Sequence, residues 1–220
     1  MKQTAIFMAL ILLFSMTFVI AQSDNAQQGQ EQAQNQEISE DAIPTLISEQ
    51  TQTRARNKEE LKQMIQERKE LQQQELGEMK QQEQKVFQNQ NRVRLAVHAL
   101  LAMENLTGGI GQQVSAIARE FNNSAQATIR QEQRMQMRNA LTRFFAGGDE
   151  AAAEEMEQEV NQNREKITSL RQLYNECDCD AEVKAMMQEQ IQNMEQEQNR
   201  LNELAAKEKK SKGLFGWLWK

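Results

Sequence analysis

The chain has 220 residues, a formal charge of −6, and only 5% aromatic residues against 26% charged ones. An acidic chain of this kind excludes functions that need a dense cationic surface, so no nucleic-acid partner is expected. One proline and a body dominated by Gln, Glu, Ala, Met, Arg and Lys, mostly good helix formers, predict an all-α fold that buries narrow stripes rather than a thick core. The expected form is an elongated antiparallel helical bundle or coiled coil with one long helix and a C-terminal helical hairpin.

Residues 1–21 form the first segment. An apolar run from Ala5 to Ala21 follows Lys2, short for a bilayer span, and Val19-Ile20-Ala21 before Gln22 fits a small-residue cleavage site. A cleaved signal peptide and an N-terminal membrane anchor both fit, and either gives an extracytoplasmic body. Residues 22–43 are Gln-rich and polar, with too little apolar surface to order themselves, and read as a disordered linker.

A helical domain is expected over 44–210. Pro44 suits a first helical turn, and nothing strong interrupts the helical pattern from there to Leu106 except Gly77, at about 1 kcal/mol. Positions 65, 72, 79, 86, 93 and 100 read Ile, Gln, Met, Val, Val, Leu, an apolar row at a spacing of seven with one exception. The companion row, Leu61, Arg68, Glu75, Gln82, Asn89, Ala96 and Met103, is thin and polar in its first half. One unbroken helix over 44–106 would be roughly 90 Å long. Its first part would project as a stalk or pair with a second copy.

Thr107-Gly108-Gly109-Ile110-Gly111 and Ala146-Gly147-Gly148-Asp149 read as turns, with Asp149 placed to cap the next helix. The third break is Asn175 to Asp180. The remaining helices are therefore predicted over 110–145, 150–175 and 181–210. Leu141 and Phe145 are read as a continuation of the apolar stripe of the first of these. Four helices joined by short connections would be antiparallel neighbours and would bring the C-terminal end back toward the side where the body begins.

Cys177-Asp178-Cys179 is the sharpest local feature. A disulfide within the loop, a disulfide between copies, a thiolate metal site and redox chemistry all remain open from the sequence. A bridge this short would close a small strained ring. A structural zinc site wants four Cys or His ligands, and the loop supplies two. The lone His98 has no sequence-near partner for a triad or metal set. Met156, Met187 and Met194 fall on apolar stripes and read as gap-fillers. No phosphate loop, dinucleotide fingerprint, nucleophile elbow or zinc-protease motif occurs, so no enzyme activity and no cofactor are expected.

Residues 211–220 form a basic-aromatic tail. Leu214, Phe215, Trp217, Leu218 and Trp219 are too few to span a bilayer but suit its headgroup boundary, and Lys209, Lys210 and Lys212 suit anionic lipids. These residues are the candidate membrane contacts.

The leader, the Gln-rich linker, the helical body and the ending Lys-Gly-Leu-Phe-Gly-Trp-Leu-Trp-Lys together resemble exported coiled-coil proteins of methanogenic archaea. This resemblance implies an exported coiled-coil protein and assigns no activity or site. The chain is also similar in composition to Spy-like periplasmic chaperone and metal-resistance proteins. Their Leu-Thr-x-x-Gln motif is missing: Leu141-Thr-Arg-Phe-Phe145 lacks the Gln, and Ile167-Thr-Ser-Leu-Arg-Gln172 has it one position late.

The expected function is a membrane-associated, extracytoplasmic scaffold without catalytic activity, partnered by a membrane surface and by a second copy or another helical protein. The alternatives are a metal- or stress-sensing protein using the Cys-Asp-Cys loop or the Met residues, and a Spy-like helical chaperone.

Overall fold

The computed structural model describes residues 54–214. The chain divides into two units after Ala42, and all described residues belong to the second. The expectations for the leader, the linker, Pro44 and the tail residues Phe215, Trp217, Leu218 and Trp219 lie outside the described residues. The described residues are all-α, with six helices: α1 (Lys58–Glu78), α2 (Gln81–Ala102), α3 (Gly111–Met137), α4 (Ala140–Ala146), α5 (Glu150–Glu176) and α6 (Ala181–Lys210).

The predicted single helix over 44–106 is overturned. The helix stops at Glu78, Met79 and Lys80 adopt extended backbone, and α2 runs back along α1. The break lies just past Gly77. Gln84 Nε2 donates to the Met79 carbonyl at 3.0 Å and satisfies the exposed end of α1. Contacts across the hairpin favour the fold-back. Gln72 is buried and donates to the Asn91 carbonyl at 3.2 Å, and Glu75 forms an ion pair with the buried Arg94. At the open end, Ala55 N donates to the Ala102 carbonyl at 2.8 Å. Glu75, in the polar half of the companion row, thus finds its partner within its own chain.

The four long helices α2, α3, α5 and α6 pack as antiparallel sequence neighbours, and α6 closes the ring against α2. Side-chain caps fix their starts. Asp149 Oδ1 accepts from Ala152 N at 3.0 Å, and Asp180 Oδ1 accepts from Glu182 N at 2.8 Å. The C-terminal hairpin of α5 and α6 is matched in length, at 27 and 30 residues. α1 lies outside this ring on α2, with Lys58 3.4 Å from Asp180 and Lys62 paired with Glu182 at the start of α6.

With α1 and α2 folded as a hairpin, the long helices number five. Arg54, 2.9 Å from Glu104, sits at the end of the bundle that carries the Cys177–Asp180 loop. Leu214 sits at the opposite end, bonded to Phe144. Among the described residues the first and last therefore lie at opposite ends, not on the shared side expected of four helices. The 27 residues of α3 separate the two ends by roughly 40 Å.

The interior is apolar at both ends and polar between. One cluster includes Val93, Leu100, Phe121, Ile129, Leu170, Met187 and Met194, and the other Met135, Met156, Val160, Leu201 and Ala205. On α3, α5 and α6 a turn of buried polar side chains separates them: Glu132, Asn163, Glu197 and Gln198, with Gln90 joining from α2.

Candidate functional site

The end of the bundle that carries the C-terminal segment is built by a second unforeseen break. α3 stops at Met137, and Asn139 caps a new short helix by accepting from Thr142 N at 2.7 Å. Leu141 and Phe145 therefore do not continue the buried stripe of α3. Leu141 is 69% exposed, Phe144 59% and Leu214 54%, and Met137 and Phe145 are also exposed. The rings of Phe144 and Phe145 meet edge to face at 5.0 Å. Only Leu71, among the described residues, is a large exposed apolar side chain elsewhere. Scattered apolar residues on a surface need no account, but a cluster at one tip does.

The C-terminal segment is locked onto this tip through its backbone. Leu214 N donates to the Phe144 carbonyl at 2.8 Å, and Gly148 N donates to the Ser211 carbonyl at 2.6 Å. Gly147 has φ of 86°, and a Cβ there would overlap the Ser211 carbonyl oxygen. Only glycine suits both demands. A Cβ on Gly213 would likewise overlap the Phe145 carbonyl oxygen. Beneath this clamp the buried carboxylate of Glu208 accepts from Asp149 N at 2.8 Å and from Arg143 at 3.0 Å, and Arg143 also donates to the Met135 carbonyl.

The three candidate lysines separate in role. Lys209 is 3.0 Å from Glu157, and the hydrogen bond to that carboxylate raises its pKa. Lys210 and Lys212 are exposed beside the apolar tip. The sequence singled out Leu214 as a contact residue, but it read Leu141 and Phe145 as buried stripe and passed over Phe144. The Asn-Ala-Leu-Thr run from Asn139, a helix start, was the signal for these three. A cavity of about 250 Å³ opens between the start of α2 and the end of α3, with Val86, Met137, Lys80 and Lys85 in its wall. Through Met137 it adjoins the tip.

At the other end, Cys177 and Cys179 are joined in a disulfide within the loop. Cys177 is buried, with Sγ 3.8 Å from the Thr107 carbonyl oxygen, and Cys179 is half-buried. Thiolate metal binding would require this bond to be reduced. Among the described residues no group of three His, Cys, Asp or Glu side chains is arranged to hold a metal ion.

The polar centre holds the most perturbed groups. Arg200 donates to both oxygens of Glu132, at 2.9 and 2.6 Å, and to Glu197. Asn89 and Gln90 also donate to Glu132, at 3.0 and 3.1 Å. Burial pushes the Glu197 carboxyl up, and its bond to Arg200 only partly offsets this. Burial also disfavours the Arg200 charge, but bonds to Glu197 and Glu132 outweigh it and raise its pKa. Both carboxylates here are bonded to the one guanidinium, and no nucleophile adjoins them. The arrangement suits register-keeping between helices. His98 is half-buried, and burial lowers its pKa. Met156, Met187 and Met194 are fully buried and act as packing groups.

No helix among the described residues is long and apolar enough to cross a membrane. Compared with known proteins, the chain matches no family model, and no curated protein or solved structure is similar to it.

Proposed function

We propose that this chain is a helical scaffold that stands on a membrane surface by its α4 tip and C-terminal tail. The observation that carries this reading is the clustering of Leu141, Phe144, Phe145 and Leu214 at one end of the bundle, with Leu214 bonded to Phe144. The clamp ends at Leu214, the residue immediately before the Phe215-Gly-Trp-Leu-Trp sequence. Exposed Lys210 and Lys212 supply charge for anionic headgroups, and Trp suits the headgroup boundary. Docked this way, the bundle would hold its Cys177–Cys179 end roughly 40 Å from the surface, as a spacer or platform.

Vesicle flotation tests this. The full chain is expected to float with vesicles containing phosphatidylglycerol, less with phosphatidylcholine alone, and to lose most binding when Trp217 and Trp219 are both changed to Ser. Equal recovery of wild type and the double variant in the unbound fraction would sink the reading.

A further inference from the structure

The Cys177–Cys179 bridge encloses only Asp178. As a staple it adds little, because the gain from a cross-link grows with the loop that it closes. The α5–α6 connection is also held without it. Leu170, Leu173, Val183 and Met187 are buried along the two helices. In the loop itself, Cys177 N donates to the Tyr174 carbonyl at 3.3 Å, Lys184 Nζ donates to the Cys177 carbonyl at 3.2 Å, and Asp180 caps α6. None of these bonds passes through sulfur.

The two sulfurs are unlike. Cys177 is 7% exposed and faces the Thr107 carbonyl oxygen, whereas Cys179 lies nearer solvent. In the disulfide, Cys177 has no S–H to donate. A reduced Cys177 thiol would find the Thr107 carbonyl already within sulfur hydrogen-bond distance, 3.8 Å away. The fold therefore offers a reduced Cys177 thiol a ready acceptor.

We propose that Cys177–Cys179 is a thiol–disulfide exchange site that oxidises accessible dithiols in peptides or proteins. This inference is independent of membrane docking. A substrate thiolate attacks Cys179 Sγ, the bond to Cys177 breaks, and Cys177 leaves as a thiolate that takes up a proton and donates it toward Thr107. The second substrate thiolate then attacks the substrate sulfur of the mixed disulfide, and Cys179 leaves and is protonated. Two electrons pass from the substrate to the protein. The two protons lost by the substrate thiols are matched by the two gained at Cys177 and Cys179. Glu176 at the end of α5 and Asp178 in the loop are exposed, while Asp180 and Glu182 are engaged by Lys58 and Lys62. This surface favours dithiols with basic flanks over anionic thiols.

The test mixes the full-length oxidised protein with a lysine-flanked dithiol peptide under anaerobic conditions, followed by acid quench, alkylation and mass spectrometry. One peptide disulfide should appear per protein molecule reduced, roughly tenfold faster than with the same concentration of oxidised glutathione. Cys177→Ser, which leaves Cys179 with no disulfide to exchange, should leave the peptide reduced, with far-UV circular dichroism unchanged. A peptide that stays reduced while the bridge remains intact overturns the proposal, as does a rate no greater than that of oxidised glutathione. The wild-type measurement decides the matter even if the variant does not fold.

Discussion

Glu132 on α3 and Arg200 on α6 meet through paired hydrogen bonds of 2.9 and 2.6 Å, with the Glu132 side chain fully buried. Each charge is tolerable only because the other is present. Removing one partner of a buried pair typically costs about 3–5 kcal/mol, whereas replacing all members by apolar groups is often neutral. Arg200→Met should therefore destabilise the protein by roughly that amount in urea unfolding. Glu197→Gln should cost much less, because burial already disfavours its charge. An equal loss in the two variants would show that the Glu132–Arg200 pair does not dominate the energetics of the centre.

His98 supplies a pH signature. Burial depresses its pKa, the Arg68 charge adds to this, and a hydrogen bond to the Met64 backbone and the charge of Glu67 oppose it. The unfolded chain takes up the proton near 6.5 and the folded chain only at lower pH. Between those values the unfolded state binds more protons, so stability should fall as pH drops below 6.5. As the only histidine, its contribution can be isolated: His98→Gln should flatten the stability profile just below that pH. Identical profiles for wild type and variant in chemical denaturation would contradict the assignment.

Where turn chemistry was local, the sequence was sufficient. Asp149 and Asp180 mark helix starts at which the structure begins α5 and α6, and the Gly147-Gly148 turn stands where glycine spacing put it. The break at Met79–Lys80 was not legible in this way. Gly77 costs a helix little, and the gain comes from Gln72 meeting Asn91 and Glu75 meeting Arg94, residues 19 apart in sequence. The polar centre escaped for a related reason. Glu132, Asn163 and Gln198 look like solvated helix face when burial is inferred from apolar spacing alone. Gln72, the single polar residue in an otherwise apolar row, was the visible hint that this fold buries amides. The exposed tip was hidden because Leu141 and Phe145 keep helical spacing with α3 across a break that Asn139 introduces.

The tip can be tested apart from the tail. Leu141 and Phe144 are more than half exposed, so Leu141→Ser and Phe144→Ser should each leave folding stability within about 0.5 kcal/mol. Each should weaken binding to anionic vesicles by about tenfold if its side chain enters the interface. Unchanged vesicle affinity in both variants, with Trp217 and Trp219 intact, would restrict membrane contact to the tail.

The α1–α2 hairpin rests on an asymmetric charge cluster. The Arg94 side chain is almost wholly buried, lies 5.4 Å from the Phe87 ring centre, and pairs with Glu75, which also lies 3.3 Å from Arg68. Burial lowers the Arg94 pKa and Glu75 opposes that shift. Glu75→Ala leaves two neighbouring guanidinium groups without their shared carboxylate, at a cost of roughly 3 kcal/mol. Arg94→Met removes the buried charge and leaves a side chain that suits the apolar contact with Phe87, so it should cost less. α1 contacts the rest of the fold mainly through α2, so the loss should be local. In Glu75→Ala, amide hydrogen exchange should accelerate over 58–78 and remain slow in α5 and α6. Uniform acceleration across all helices would instead mean that α1 is an integral part of the cooperative bundle.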